Sequence, residues 1–305
     1  MSDEREEASD AVRAVDGRVK FRRLLGRPGI IMQPSVGDPL SACIAELIGF
    51  EAIALGGYAL GARLATTEPL LSIDDVASTV RYISLASRLP IMVDAGAGWG
   101  DPLHVMHSVQ VLERAGAASL HIEDQLFPKR AHYHRGTEHV ISKEAMVAKV
   151  QAAVAARTDK QFVVIARTDA MRTDDYKEGV RRAEAYVDAG AEMIMLFPNS
   201  AQEAERAPKD LPGIPLIYVN STGNRFGRPV VPAPQLEGWG WKLVYDSFAV
   251  TGAMVNALRM MLATLKATGS SGLEPAQMIE VRNLVERAIG LDRYYQIEEK
   301  SVEAL

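Results

Sequence analysis

The chain has 305 residues, 48% of them hydrophobic, so it can bury a large core as one big α/β domain or as two ordinary ones. Its formal net charge of −5 and lack of a long basic run argue against nucleic acid as a partner. The single cysteine, Cys43, excludes a disulfide framework within one chain. No apolar run approaches the roughly 20 residues that span a bilayer, and the acidic Met1–Asp10 stretch lacks the apolar core of a secretory signal. The expectation is a soluble cytoplasmic protein with no membrane partner.

In chain order, a charged start of about ten residues leads into a helix ending near Leu25, closed by Pro28-Gly29. Short apolar runs then alternate with longer amphipathic ones. Strands are expected at Ile30–Gln33, Ala52–Leu55, Ile91–Asp94, Ser119–Glu123, Phe162–Arg167, Met193–Phe197, Pro215–Val219 and Lys242–Tyr245. Helices are expected at Leu40–Ile48, Ile73–Ser87, Pro102–Arg114, Lys143–Arg157, Tyr176–Asp188 and Val250–Ala267. Gly49, Gly116 and Gly190 share a position, each where a helix should stop before the next buried strand, and glycine enters the left-handed conformation without steric cost.

Eight such β–α units favour a closed (β/α)8 TIM barrel, with an open doubly wound sheet as the competing fold. The dinucleotide glycine fingerprint is missing, because Gly96-x-Gly98-x-Gly100 has the wrong spacing and follows a carboxylate. One domain over residues 1–305 is expected, with an N-terminal helical segment at 1–27 and a C-terminal helical extension at 270–305. The apolar stripe Ile279, Val281, Leu284, Val285 and Ile289 would let that extension cap the barrel or pack on another subunit.

In a barrel the functional face is the carboxyl end of the strands. Ser35, Asp38, Gly56-Gly57-Tyr58, Asp94, Glu123, Lys129, Arg167, Asp169 and Asn220-Ser221-Thr222 all fall there. Carboxylates ending consecutive strands converge, and their hard oxygens suit Mg²⁺ or Mn²⁺. Lys129-Arg130 would meet an anion held by such a metal, which points to an enzyme acting on a small acid. Asp38 and Asp169 have a blander reading as helix caps, and Gly56-Gly57 makes either a plain turn or a backbone cradle for a carboxylate.

Four motifs in this order carry a resemblance: Pro34-Ser35-x-x-Asp38-x-Leu40-Ser41-Ala42, Asp94-Ala95-x-x-Gly98-x-Gly100, Glu123-Asp124-Gln125-x-x-Pro128-Lys129-Arg130 and Ile165-Ala166-Arg167-Thr168-Asp169-Ala170. Over roughly Phe21–Leu265 the chain resembles the isocitrate lyase/phosphoenolpyruvate mutase superfamily. The resemblance implies a (β/α)8 barrel and a homotetramer or dimer of dimers, with C-terminal helices swapped between subunits. It also implies Mg²⁺, and an enolate or related oxyanion of an α-oxo acid. Carried over by motif, Asp94 is the direct metal ligand and Glu123 an acidic ligand acting through water. Arg167 binds the substrate's oxyanion or carboxylate, and Ser35, Gly57 and Tyr58 form a carboxylate pocket. Lys129 sits at the hinge of a closing loop. By their strand-end position alone, and not by any motif, Asn220 and Thr222 are expected to join the substrate contacts.

The chain departs from that pattern at four positions. Ala131 stands where lyases of the family carry the acid/base cysteine, and Gly96 replaces the second aspartate of the metal strand. Phe197 replaces a glutamate or histidine, and Glu68 stands for an aspartate after the second strand. Cys43 lies mid-helix and reads as an inert core thiol. The loop holds three of six histidines, and His132 or His134, aided by Tyr133, is the candidate replacement acid. A solvated loop and a His-x-His zinc site are the other readings of it. His121 is expected to be a hydrogen-bonded core residue. Tyr58, Trp99, Tyr133 and Phe197 would make the pocket aromatic, favouring a bulkier or less charged tail than isocitrate.

The expected function is therefore Mg²⁺-dependent cleavage of a C–C bond, by retro-aldol reaction or decarboxylation, in an α-hydroxy or α-oxo acid. Phosphonopyruvate-type P–C chemistry and a catalytically impaired acid-binding barrel are the alternatives.

Overall fold

The computed structural model describes residues 16–136, 139–225 and 227–303. Eight strands close into one all-parallel barrel in sequence order. They are β1 (Ile31–Val36), β2 (Ile53–Leu55), β3 (Ile91–Asp94), β4 (Ser119–Glu123), β5 (Val163–Arg167), β6 (Met193–Leu196), β7 (Leu216–Asn220) and β8 (Leu243–Asp246). The open-sheet alternative is thereby excluded, because β1 pairs with both β2 and β8. β1 runs beyond the expected Gln33 because Ser35 and Val36 pair with Ala54 and Leu55 of β2.

The helices are α1 (16–26), α2 (Pro39–Ile48), α3 (Gly57–Arg63), α4 (Ile73–Ala86), α5 (Pro102–Arg114), α6 (Lys143–Ala156), α7 (Ala170–Thr173), α8 (Tyr176–Asp188), α9 (Ala201–Asp210), α10 (Ala233–Trp239), α11 (Ala249–Thr268), α12 (Pro275–Ile289) and α13 (Leu291–Ser301). Residues 1–15 of the expected N-terminal segment lie outside the described residues. Besides the short α3 and α7, sequence periodicity missed α9 and α10. Helix α9 is ten residues long with Pro208 inside it, and α10 spans seven, too few turns for a clear stripe.

Two apolar layers hold the barrel together. Outward-facing strand residues such as Val93, Leu120, Val164 and Ile194 pack under the helices, while Ala54, Met92, Ile165, Met195 and Val219 fill the interior. Alternate residues of a strand point to opposite faces, which separates the two sets. α1 closes the amino-terminal end, where Phe21 and Leu24 join the interior cluster. Arg18 donates to the Ala117 carbonyl (3.2 Å) and pairs with Asp159 (3.0 Å), while Arg22 binds Glu192. One end of the barrel is thus plugged by apolar side chains, and the polar residues are left at the other.

The C-terminal helices lie outside the barrel. α12 rests on α2, with Leu284 and Val285 half-buried, but Ile279, Val281 and Ile289 stay exposed. Among the described residues no helix is long and apolar enough to cross a membrane.

Candidate active site

Strand register brings the chemistry together at the carboxyl end. Asp94 pairs in register with His121, and Glu123 with Arg167, so four polar side chains from β3, β4 and β5 enter the barrel mouth. Asp94 is held by two backbone donors: Gly57 N–H to Oδ2 at 3.1 Å and Gly96 N–H to Oδ1 at 2.9 Å. The Gly56-Gly57 pair is therefore a carboxylate cradle, with the protein's own aspartate in it. A Cβ at Gly56 would collide with the Tyr245 hydroxyl, so only glycine allows the strand end to approach this closely. Ser35 lies fully buried beside it, 3.3 Å from the same hydroxyl.

Burial opposes ionisation of Asp94, but His121, Lys129 and Arg167 with the Gly96 N–H outweigh it and hold the carboxyl well below its usual range. Glu123 goes the other way. Burial, reinforced by Asp169 and Asp94, pushes it up to about 7 against the pull of Arg167 and Lys129. Its two oxygens meet Lys129 Nζ at 2.8 Å and Arg167 Nη1 at 3.0 Å, as ion pairs outside hydrogen-bond geometry.

His121 corrects an expectation. It is buried but neither ring nitrogen has a hydrogen-bond partner among the described residues, and Nε2 lies 3.8 Å from Asp94. Burial lowers it to about 4, so it is neutral at pH 7. Of the two suspected caps, Asp38 accepts from the Ser41 N–H (2.9 Å) and starts α2. Asp169 caps nothing with its side chain; it takes Arg167 Nη2 and Nε at 3.1 and 3.2 Å and Gln125 at 2.8 Å. It thereby fixes the guanidinium that faces the cavity. Cys43 is a buried thiol on α2, raised by burial, as expected of an inert core residue.

A cavity of about 460 Å³ opens over this cluster. Asp94 and Arg167 line its floor, Gly57, Tyr58 and Glu68 one side, and Tyr133 and His134 the loop side. A smaller space of about 100 Å³ adjoins it at Asp94, Gly96, Trp99 and Lys129. Glu68 is the hub of the loop side. It pairs with Lys129 through one oxygen and accepts the Tyr133 hydroxyl at 2.7 Å through the other. His134 is half-buried, with its Nε2 3.3 Å from the Thr67 hydroxyl, and burial lowers its pKa. His132 is exposed and does not line the cavity. Thr222 is also exposed, and the Asn220 amide is spent on the backbone of Val231 at 2.8 and 3.1 Å.

Phe197 does not make the pocket less charged. Three guanidinium groups surround its ring: Arg167 at 4.5 Å from the centroid, Arg228 at 4.8 Å and Arg172 at 5.3 Å. An aromatic face tolerates such cations where a second apolar wall would not. Arg228 is buried, and its Nε has no hydrogen-bond partner among the described residues. Burial and the neighbouring Arg172 lower it to about 10, which leaves it charged at neutral pH. Arg172, Arg228 and Tyr245 were not foreseen from sequence. Tyr245 is reachable by strand alternation, whereas Arg172 sits on the short α7 and Arg228 in the loop after β7, where no periodicity points inward.

Among the described residues no group of three or more His, Cys, Asp or Glu forms a ready metal cage, the His-x-His loop included. Asp94 fits a hard cation nonetheless. It is ionised, each oxygen accepts a single N–H among the described residues, and it lines both cavities. Mg²⁺ keeps several waters and needs only one or two protein carboxylates, the rest of its shell coming from substrate.

A family profile described as phosphoenolpyruvate phosphomutase matches residues 21–265. A probable 2-methylisocitrate lyase 2 of Corynebacterium glutamicum is 35% identical over 266 residues, 86% of this chain and 84% of that protein. The 2-methylisocitrate lyase of Salmonella typhimurium is 36% identical over 286 residues, 92% of this chain and 94% of that one. Among solved structures, 2,3-dimethylmalate lyase superposes with a TM-score of 0.84 at 30% identity, covering 94% of this chain and 95% of the other. Oxaloacetate acetylhydrolase bound to 3,3-difluorooxalacetate does so at 0.87 and 28%, covering 94% and 97%. With the profile and both relatives spanning most of its length, the chain belongs to the phosphoenolpyruvate mutase/isocitrate lyase superfamily.

Proposed function

We propose that this chain is a carbon–carbon lyase acting on an α-hydroxy or α-oxo acid that carries a second anionic group, through an enolate. The observation that carries the reading is one cavity lined by an ionised Asp94 at one end of Arg167 and by Arg172 and Arg228 at the other. Relatives named as lyases for 2-methylisocitrate and 2,3-dimethylmalate support it. The cationic wall around Phe197 selects a substrate with charge at its far end, the opposite of what a ring at that position implies by itself.

Bound at Asp94, Mg²⁺ or Mn²⁺ would supply Lewis-acid stabilisation of charge on the substrate's oxygens. The remaining work falls to the chain. Arg167, held in place by Asp169 and Glu123, presents a charge-assisted donor to the oxygen that becomes negative as the C–C bond breaks. Lys129 draws the loop onto Glu123 and Glu68, which excludes water while the enolate exists. His134 and Tyr133 on that loop face the cavity and are the groups at hand for proton transfer.

The test is Mg²⁺-dependent release of pyruvate from 2-methylisocitrate and 2,3-dimethylmalate, and of pyruvate or oxalate from oxaloacetate. One of these acids should be cleaved, and Asp94→Ala should abolish that turnover while leaving the fold intact. Full turnover in the variant refutes the metal assignment. P–C chemistry on a phosphonopyruvate is the second reading, favoured by Ala131 in place of a thiol and by a cationic wall suited to a phosphonate. Release of phosphate rather than pyruvate alone would select it. The exposed apolar residues of α11 to α13 support association with another subunit, and light scattering would read whether the assembly is the homotetramer or dimer of dimers that the resemblance implies.

A further inference from the structure

The cavity contains a proton donor that is neither of the histidines. Tyr133 lies on the 3-10 turn Ala131–Arg135, and its hydroxyl donates to Glu68 Oε2 at 2.7 Å. The other Glu68 oxygen pairs with Lys129, whose ammonium sits 4.2 Å from the centre of the Tyr133 ring. One carboxylate and one ammonium therefore fix the phenol from two directions, and it lines the same cavity as Asp94 and Arg167. Its loop neighbours are less suited. The Ala131 methyl cannot ionise, His132 faces solvent, and His134 is engaged with Thr67. Tyr58, also on the cavity, is 46% exposed, and Tyr245 is turned onto Ser35 deep in the barrel.

Resting on the lyase reading, we propose that Tyr133, oriented by Glu68, is the catalytic acid that protonates the enolate carbon. As the enolate collapses to its carbonyl, its electron pair forms a new C–H bond. The phenolic O–H bond breaks, and the electrons of that bond stay on the tyrosine oxygen. The tyrosinate faces the Lys129 ammonium until water returns the proton. An enolate carbon is far more basic than a phenolate, so the transfer runs downhill. Burial and Glu68 keep the phenol protonated at neutral pH, the form a donor needs. Glu68 is a positioning residue in this scheme, since its part is to hold the hydroxyl that gives up the proton.

The experiment is turnover of the three acids above in H2O and in D2O, with oxalate binding in saturating Mg²⁺ as the check on site integrity. Tyr133→Phe should lower kcat at least ~100-fold, the ordinary span for losing a general acid, and raise the solvent isotope effect on kcat. Oxalate affinity should stay within about twofold, because the general-acid step is not used in binding. Glu68→Gln, which retains an acceptor for the phenol, should lose about tenfold, and His134→Ala less than that. A Tyr133→Phe enzyme within about threefold of wild type overturns the proposal, as does one that has lost oxalate binding in parallel with kcat. If wild type binds oxalate yet cleaves none of the acids, the lyase reading fails and the role of Tyr133 falls with it.

Discussion

Lys129 Nζ stands 2.8 Å from Glu123 Oε1 and pairs at the same time with Glu68, so one buried ammonium ties the loop after β4 to the loop after β2 and to the barrel interior. Removing it leaves buried Glu123 with Arg167 as its cation and buried Glu68 with the Tyr133 hydroxyl in place of an ammonium. Lys129→Met should therefore destabilise the fold by about 3 kcal/mol in urea unfolding, the usual cost of breaking a buried pair from one side. Adding Glu68→Gln should recover part of that loss. A single variant as stable as wild type would mean the ammonium holds nothing together.

Gly96 has φ +50°, and a Cβ placed there would meet only Glu123 Oε1, at 4.0 Å. Aspartate tolerates this left-handed backbone better than most residues. Gly96→Asp should therefore place a second carboxylate beside Asp94 and tighten Mg²⁺ about tenfold by calorimetry. Without metal it should be less stable, because the new charge faces Glu123. Unchanged metal affinity would separate this position from the cation site.

His121 and Glu123 pull stability in opposite directions with pH. His121 is lowered from 6.5 to about 4, so the unfolded state binds its proton first. Its stabilising contribution is complete above pH 6.5 and is lost as pH falls towards 4, about 2 kcal/mol of it between pH 7 and 5. Glu123 is raised, so its contribution is complete at low pH and is lost as pH rises through about 7. The wild type should show a shallow slope between pH 5 and 7. His121→Asn should expose the slope of Glu123 and gain about 2 kcal/mol relative to wild type on moving from pH 7 to 5. Parallel curves for the two proteins would show that the imidazole is not held neutral.

Arg228, stacked on Phe197 with an Nε that has no hydrogen-bond partner among the described residues, is the clearest candidate for the far end of the substrate. Arg228→Met keeps much of the volume and removes the charge. KM for acids with a second carboxylate should rise ten- to a hundred-fold, roughly the worth of a charge-assisted hydrogen bond. Inhibition by pyruvate, which has no second anionic group, should change little. Equal weakening of both would place Arg228 outside the substrate contacts.

Much of the site was legible because strand-end positions in a barrel are addressed by the sequence itself. Asp94, Glu123 and Arg167 lie at the carboxyl ends of strands whose existence the apolar runs already implied, and parallel closure brings them together. Tyr133 and Glu68 were visible as residues but not as partners, since they are 65 positions apart and meet only through the loops. Asn220 and Thr222 stand at the right strand end, yet the amide of one is taken by Val231 and the other is exposed, outcomes set by loop conformation.

Phe197 makes the same distinction sharply. Read by itself, an aromatic ring in place of an acid means a less polar pocket. In the folded chain it is the platform on which guanidinium groups from β5, α7 and the loop after β7 stack. The amino-acid order determined the β–α alternation, the closed barrel and the carboxylates at its rim, because those depend on local periodicity and strand count. Only the tertiary structure decided the sign of the pocket's charge and the company each carboxylate keeps. Electrostatic environment is a property of neighbours in space, and these neighbours come from segments far apart in the chain.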